Sequence, residues 1–174
     1  AGPQPLQTGA QHFEVGADGW LEVLPEPLVP HRGCAYHQVT QIDVAPGGGL
    51  FFVDQLIPGR MAHGEAWEWS KLVLETTLRI GGELVLRERL DQTGAELRAL
   101  SALSGSGPTA CFGNALLIGE APADSSRWLD PVRALHGEGL WMGVSSLRRG
   151  GWSIKFVARD GLLLRATVKA LRSI

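Results

Sequence analysis

The residues best suited to bind a metal are His31, Cys34 and His37, which lie close together in the sequence. Imidazole and thiolate groups are common ligands of zinc and other borderline divalent metals. On one extended strand, residues 34 and 37 would point to opposite faces, so a turn at Gly33 is needed to gather the three side chains. The spacing indicates no fourth ligand, and the alternative is a loop histidine, a small buried thiol and a surface histidine. A metal-dependent hydrolase would require that these three residues hold a metal tightly.

Carboxylates are the second group with possible chemistry. Glu65 and Glu68 lie near each other, and Glu26 and Asp43 are further candidates. A glycosidase needs two carboxylates on either side of a cleft. Nothing in the sequence places these four side chains in that way, so a glycosidase is disfavoured.

Nucleophilic and phosphate-binding motifs are missing from the sequence. No Gly-x-Ser-x-Gly motif occurs, and Ser145-Ser146 falls inside an apolar strand. Gly105-Ser106-Gly107 is not followed by the Gly-Lys-Ser/Thr of a phosphate-binding loop. Nucleophilic catalysis and phosphate binding by such a loop are therefore disfavoured.

A segment from Leu56 to Glu65 joins two predicted strands and contains Arg60 between Gly59 and Gly64. The glycines allow the backbone to turn on either side of the short segment. We expect Arg60 and Glu65 to form an ion pair that either braces the loop or faces a partner. An ordinary solvated salt bridge is the alternative.

Six tryptophans permit a different function, because exposed indole rings can stack on sugars. Trp20, Trp67, Trp69 and Trp152 lie in or beside predicted strands, where large aromatic side chains are readily buried. Core packing is therefore favoured, and a β-sandwich carbohydrate-binding module is the alternative function.

The elements that would position these residues are mostly strands. Apolar residues alternate with polar ones from Leu72 to Ile80 and again from Leu84 to Leu90, and Gly81-Gly82 joins the two runs as in a β-hairpin. The same alternation or apolar runs predict further strands at 12–15, 20–24, 36–44, 50–57, 110–119, 140–147 and 152–158. The segment 50–57 is apolar nearly throughout, which predicts burial on both faces.

About two short helices are expected. Asp160 is suited to cap a helix from Gly161 to about Arg172, and Trp128 to His136 predicts a second one, with Pro131 in its first turn. Segments 105–108 and 121–126 are predicted loops. The fold class is therefore mainly β, within a single domain.

Composition excludes several classes of function. The chain has 174 residues, 16 Lys and Arg, 18 Asp and Glu, and a formal net charge of −2. This balance argues against binding to nucleic acid or to anionic membranes. Two cysteines do not make a disulfide framework, which predicts a reducing, cytoplasmic location.

Five segments carry a family resemblance. They are Trp20 to Pro27, Thr40 to Gly47, the Gly59-Arg60-x-x-x-Gly64-Glu65 signature, Gly143-Val144-Ser145, and Gly151 to Lys155. In order and spacing the chain resembles the urease accessory protein UreD family, called UreH in some organisms. The resemblance covers almost all of residues 1–174 as a single UreD-like domain. Family members are usually longer, with further strands before the point where this chain begins.

The resemblance implies a fold and a function. The fold would be a coiled, β-helix-like stack of strands with two helices. The protein would be a non-catalytic chaperone that binds apo-urease and UreF, and through UreF the GTPase UreG, to assemble the nickel centre. No cofactor would be tightly bound, although nickel would pass through a polar internal passage. Glu26, Asp43, Arg60 and Glu65 match the family motifs and are the candidates for lining that passage or contacting a partner.

Overall fold

The computed structural model describes residues 5–103, 107–119 and 126–174. Nine strands lie in these ranges: β1 (Gln7–Val15), β2 (Trp20–Val23), β3 (Ala35–Val44), β4 (Gly49–Leu56), β5 (Lys71–Ile80), β6 (Glu83–Gln92), β7 (Cys111–Ile118), β8 (Leu140–Ser146) and β9 (Trp152–Ala158). The α-helices are α1 (Gly94–Leu103), α2 (Ser126–Ala134) and α3 (Gly161–Ser173), and Met61–His63 forms a short 3₁₀ turn. The prediction of a mainly β chain is confirmed.

The strands form two mixed sheets. The four-stranded sheet has the order β1-β3-β5-β6, and the five-stranded sheet has the order β2-β4-β7-β9-β8. From β1 to β5 the chain alternates between the sheets, and neighbouring strands within each sheet run parallel. The later strands add antiparallel pairs to both sheets.

Both hairpins expected from the sequence are present. β5 pairs with β6 across Gly81-Gly82, and β8 pairs with β9 across the turn that contains Gly150-Gly151. Gly81 and Gly82 both adopt positive φ, which explains why glycine suits this tight connection. Strand β4 is buried along most of its length, as its apolar sequence predicts, because it lies inside the five-stranded sheet.

The helices include one that sequence reasoning missed. Asp160 caps α3 as expected, since its carboxylate accepts a hydrogen bond of 2.8 Å from the Leu163 N–H. Helix α2 begins and ends two residues earlier than predicted, so Pro131 lies beyond the first turn and not in it as expected. The expectation of about two helices is corrected by α1, which the chain forms directly after β6. The predicted loops at 105–108 and 121–126 lie largely outside the described residues.

Apolar side chains form three buried clusters. One lies on the outer face of the five-stranded sheet, where Val132 of α2 and Leu164 and Leu171 of α3 cover it. The other two lie between the sheets: the first contains Ile42, Phe52, Leu78 and Leu116, and the second contains Leu56, Trp67, Leu72 and Leu97. None of the helices in the described ranges has the length and apolar character needed to span a membrane.

Candidate functional site

A cavity of about 1080 Å³ lies between the two sheets. Strands of both sheets contribute to its walls, and the segment from Pro25 to Val29, which follows β2, lies along it. Its volume is slightly above the range of roughly 300–1,000 Å³ that is usual for small-ligand sites. The lining is largely apolar, but polar side chains project into it from both sheets.

These polar side chains form a band across the facing strands, which we call the polar band. From the four-stranded sheet come Gln11 of β1, Gln38 of β3, Thr76 of β5 and Glu88 of β6, and from the five-stranded sheet come Asp54 of β4, Asn114 of β7 and Lys155 of β9. Since side chains alternate along a strand, several of these residues share a face with apolar neighbours two positions away. Phe52 and Leu56 flank Asp54, and Leu86 and Leu90 flank Glu88 in this way. The band therefore separates the two apolar clusters between the sheets.

Three of these residues connect the sheets directly. The Lys155 Nζ lies 2.7 Å from the Glu88 Oε1. The Asn114 Nδ2 donates to the Glu88 Oε2 at 3.0 Å, and the Lys155 Nζ donates to the Asn114 Oδ1 at 3.5 Å. Glu88 thus accepts from two residues of the opposite sheet, and its charge is matched by one ammonium group.

Asp54 is a strongly perturbed carboxylate of the band. Burial, together with repulsion by the nearby Glu88, raises the pKa of Asp54 from 3.8 to about 6. Loss of hydration disfavours the charged carboxylate, and a second negative charge acts in the same direction. A cation near Asp54 and Glu88 would relieve both effects, so this part of the cavity has the electrostatic character of a weak cation-binding surface.

At the β1 and β3 side, the band is a series of neutral hydrogen bonds. The Tyr36 hydroxyl donates to Gln38 at 3.2 Å, and the Gln38 amide donates to the Thr40 hydroxyl at 3.3 Å. Thr40, which is buried, donates in turn to Gln11 at 3.5 Å. Amide and hydroxyl oxygens line this side without adding a net charge.

A second notable feature is the loop from Pro58 to Ala66, which we call the Arg60 loop. The predicted ion pair is present and bidentate: the Arg60 Nε and Nη2 donate to the two carboxylate oxygens of Glu65 at 2.8 and 2.7 Å. The pKa of Glu65 is lowered, chiefly by the hydrogen bonds that its carboxylate accepts from Arg60. Gly59 has a φ of +122°, and a Cβ there would lie 2.6 Å from the Glu65 carbonyl oxygen, so the tight turn requires glycine.

Comparison with known proteins identifies the family. The family model described as "UreD urease accessory protein" matches residues 2–174. The chain belongs to the UreD family.

Curated UreD relatives include a protein of Opitutus terrae that is 56% identical over 169 residues, which is 97% of this chain and 62% of the relative. A Cereibacter sphaeroides relative is 32% identical over 97% of this chain and 60% of its own length. One from Paracoccus denitrificans is 30% identical over 90% of this chain and 55% of its own length. All three bear the name urease accessory protein UreD. The chain thus spans about three fifths of the length of these relatives.

The four candidate residues that the UreD motifs supplied do not lie together in one site. Glu26 lines the cavity and lies 3.3 Å from the Arg165 guanidinium of α3. Asp43 lies outside the cavity lining and is paired with His12 at 2.9 Å. Arg60 and Glu65 brace their own loop. Their roles in nickel passage or partner contact stay predictions.

In this UreD chain, the predicted metal triad of His31, Cys34 and His37 is not assembled. His37 lies 2.9 Å from a Glu75 carboxylate oxygen, and the Cys34 N–H donates to the His31 carbonyl oxygen at 3.2 Å. Burial raises the pKa of the Cys34 thiol, which disfavours the thiolate that a metal needs. Within the described ranges, no group of three or more His, Cys, Asp and Glu side chains is placed to hold a metal ion.

Sequence reasoning missed the polar band, including its charged residues Asp54, Glu88 and Lys155 and the amide Asn114. Asp54 interrupts an otherwise apolar strand, and Glu88 takes an inward position between Leu86 and Leu90. A charged residue at an apolar position of a strand was the available signal in both cases. Asn114 lies in the same way between Phe112 and Leu116 of β7, whereas Lys155 of β9 has Ser153 and Val157 two positions away.

The tryptophans do not form a sugar-binding row. Trp67 and Trp69 are buried, as expected for core residues, and Trp152 is partly buried and stacks on Trp128 with ring centroids 5.2 Å apart. The expectation of core packing is wrong for Trp20, which is exposed like Trp141. The exposed pair lies on β2 and β8, which are the opposite edges of the five-stranded sheet. A stacking platform requires neighbouring exposed rings, so this arrangement does not favour the carbohydrate-binding alternative.

Proposed function

We propose that this chain acts in urease maturation as a non-catalytic scaffold. In this role it binds apo-urease and UreF, recruits UreG through UreF, and helps to assemble the nickel metallocentre in the cytoplasm. Membership of the UreD family, whose curated members are named as urease accessory proteins, supports the general role. The alternation of β1 to β5 between two sheets suits the coiled, β-helix-like stack expected for the family.

We further propose that Ni²⁺ passes along the polar band between the sheets. The observation that carries this proposal is the composition of the polar band: its side chains are carboxylates, amides, a hydroxyl and the Lys155 ammonium, and no His or Cys is among the described lining residues of the cavity. Oxygen ligands hold Ni²⁺ more weakly than imidazole or thiolate ligands do. A passage needs such weak binding, because a tight site would retain the ion.

The scaffold role is tested by capture. The chain is immobilised and incubated with UreF and with apo-urease from the same source, with and without Ni²⁺. We expect capture of UreF in both conditions, since the contact is between protein surfaces. Failure of the folded chain to capture either protein would contradict the scaffold role.

The passage is tested by neutralising its carboxylates. In a maturation assay with apo-urease, UreF and UreG, the double variant Asp54→Asn, Glu88→Gln should leave capture intact and lower the nickel content of urease. The matched control is Asp130→Asn, which changes an exposed carboxylate on α2. Normal nickel loading by the double variant would contradict a passage along the polar band.

A further inference from the structure

Lys155 has an unusual position in the cavity, because it places a positive charge where the proposed passage would carry a cation. Lys155 and Arg89 are the basic residues of the described lining. Arg89, however, is engaged with Glu75 and Asp91 at 2.6 and 2.8 Å. Lys155 is therefore the basic residue of this lining that balances Glu88.

The Lys155 ammonium lies between oxygen atoms that suit a divalent cation. Its Nζ is 2.7 Å from the Glu88 carboxylate and 3.5 Å from the Asn114 amide oxygen. Carboxylate and amide oxygens are ordinary ligands of hard divalent cations. Asp54 is close enough for the Glu88 charge to affect its pKa, so a second carboxylate borders the same region.

We propose that Lys155 is a gate residue that closes the polar band to divalent cations and must be displaced for an ion to bind there. This proposal rests on the proposed function for the identity of the ion as Ni²⁺. When the ammonium moves away from Glu88, the Glu88 carboxylate and the Asn114 amide oxygen become available beside Asp54.

If Lys155 served only to link the two sheets, we would expect its side chain to be buried. The Lys155 side chain is 60% exposed, whereas Glu88 is 21% exposed, so the lysine end of the pair is in contact with water. Exposed ion pairs contribute little to folding stability. The flexible four-carbon stem of lysine allows the ammonium to leave without moving the strand. The carboxylate is thus the fixed partner, and the ammonium is the displaceable one.

Ni²⁺ binding to the chain alone tests this proposal. Isothermal titration calorimetry compares the wild type with Lys155→Met, which keeps a long unbranched side chain and removes the charge. We expect Lys155→Met to bind one Ni²⁺ at least about tenfold more tightly, because loss of a nearby positive charge favours a cation. Adding Glu88→Gln to Lys155→Met should abolish the gain, and Lys155→Arg should bind as weakly as the wild type.

The matched control is Lys169→Met on α3, which makes the same change of net charge at an exposed position. Equal Ni²⁺ affinities of the wild type and Lys155→Met would overturn the proposal that Lys155 is a gate residue. An equal gain of Ni²⁺ affinity in Lys169→Met would overturn it as well. Circular dichroism establishes that each variant is folded, and Lys155→Gln serves as a second charge-removing variant if Lys155→Met is not.

This result is separable from the proposed function, since the titration needs neither urease nor UreF. If Lys155→Met gains Ni²⁺ affinity but the chain captures no partner, the scaffold role fails and the gate stands. If capture and nickel loading proceed but Lys155→Met gains nothing, the gate alone fails.

Discussion

At the scale of single residues, the environment of a side chain decides its chemistry more than its type does. Asp54 and Asp43 are both aspartates on neighbouring parts of the chain. Asp43 lies outside the cavity beside His12, whereas Asp54 faces Glu88 from inside the cavity and its pKa is raised to about 6. Water is partly excluded from the Asp54 carboxylate, and this loss of hydration disfavours its charged form.

Replacement of Asp54 should make the fold more stable at neutral pH. The shift of its pKa from 3.8 to about 6 corresponds to a cost of about 3 kcal/mol above pH 6, at about 1.4 kcal/mol per pKa unit. Because part of the side chain keeps contact with cavity water, we expect Asp54→Asn to raise the free energy of unfolding by about 2 kcal/mol at about pH 8.

The sign of this effect follows from proton binding. Between about pH 4 and pH 6 the unfolded state has released the Asp54 proton while the folded state retains it, so stability falls as the pH rises. The gain in Asp54→Asn should therefore vanish toward about pH 4. Urea unfolding across this range measures it, with Asp130→Asn as the control. A gain that does not depend on pH would contradict the assigned cause.

The bidentate geometry of Arg60 with Glu65 yields a second prediction. Arg60→Lys keeps the charge but loses the planar fork that reaches both carboxylate oxygens. We expect amide hydrogen exchange in the Arg60 loop to become several-fold faster, while global stability changes little because the pair is partly exposed. Arg87→Lys, at an exposed position of β6, should leave the exchange of the loop unchanged. Unaltered loop protection in Arg60→Lys would show that the glycine turn alone orders the loop.

At the scale of elements, helix α1 shows what a capping motif contributes. The Thr93 N–H donates to the Glu96 carboxylate at 2.7 Å, and the Glu96 N–H donates to the Thr93 hydroxyl at 3.3 Å. This is the reciprocal arrangement of a capping box, which the Thr-x-x-Glu sequence signals. The helix then buries Leu97 against Trp67 and Trp69.

Loss of this cap should be measurable. Thr93→Ala removes the hydroxyl acceptor and should lower the free energy of unfolding by about 1 kcal/mol. Chemical denaturation provides the measurement, and Thr8→Ala at an exposed position of β1 should change stability by only a few tenths of a kcal/mol. Equal effects of the two substitutions would mean that packing of Leu97, not the cap, fixes the start of α1.

At the scale of the whole molecule, the open edges of the sheets govern association. β1 is an edge strand of nine residues, and no other strand in the described part of the chain pairs with its outer side. An unpaired edge offers backbone donors and acceptors to a second molecule. We therefore expect the isolated chain to self-associate as its concentration rises.

Lysines on this edge should oppose the association. Thr8→Lys with Ala10→Lys places two charges on exposed positions of β1, and light scattering should show a larger monomer fraction. The control, Ala102→Lys with Ala166→Lys, adds the same charge to exposed helix positions and should not have this effect. A wild-type chain that stays monomeric at high concentration would contradict the role of the edge.

The sequence alone was sufficient for most strands, both hairpins, the α3 cap and the Arg60–Glu65 pair. Each of these depends on residues that are close in the chain, so local periodicity, turn glycines and capping groups specify them. The family motifs were likewise recognisable in the sequence, because each lies within a short segment. Only the tertiary structure decided that Glu88, Asn114 and Lys155 meet across the two sheets, and that Asp43 lies outside the cavity. These contacts depend on which strands face one another, because pairing between distant segments is set by packing of the whole core and not by any local pattern.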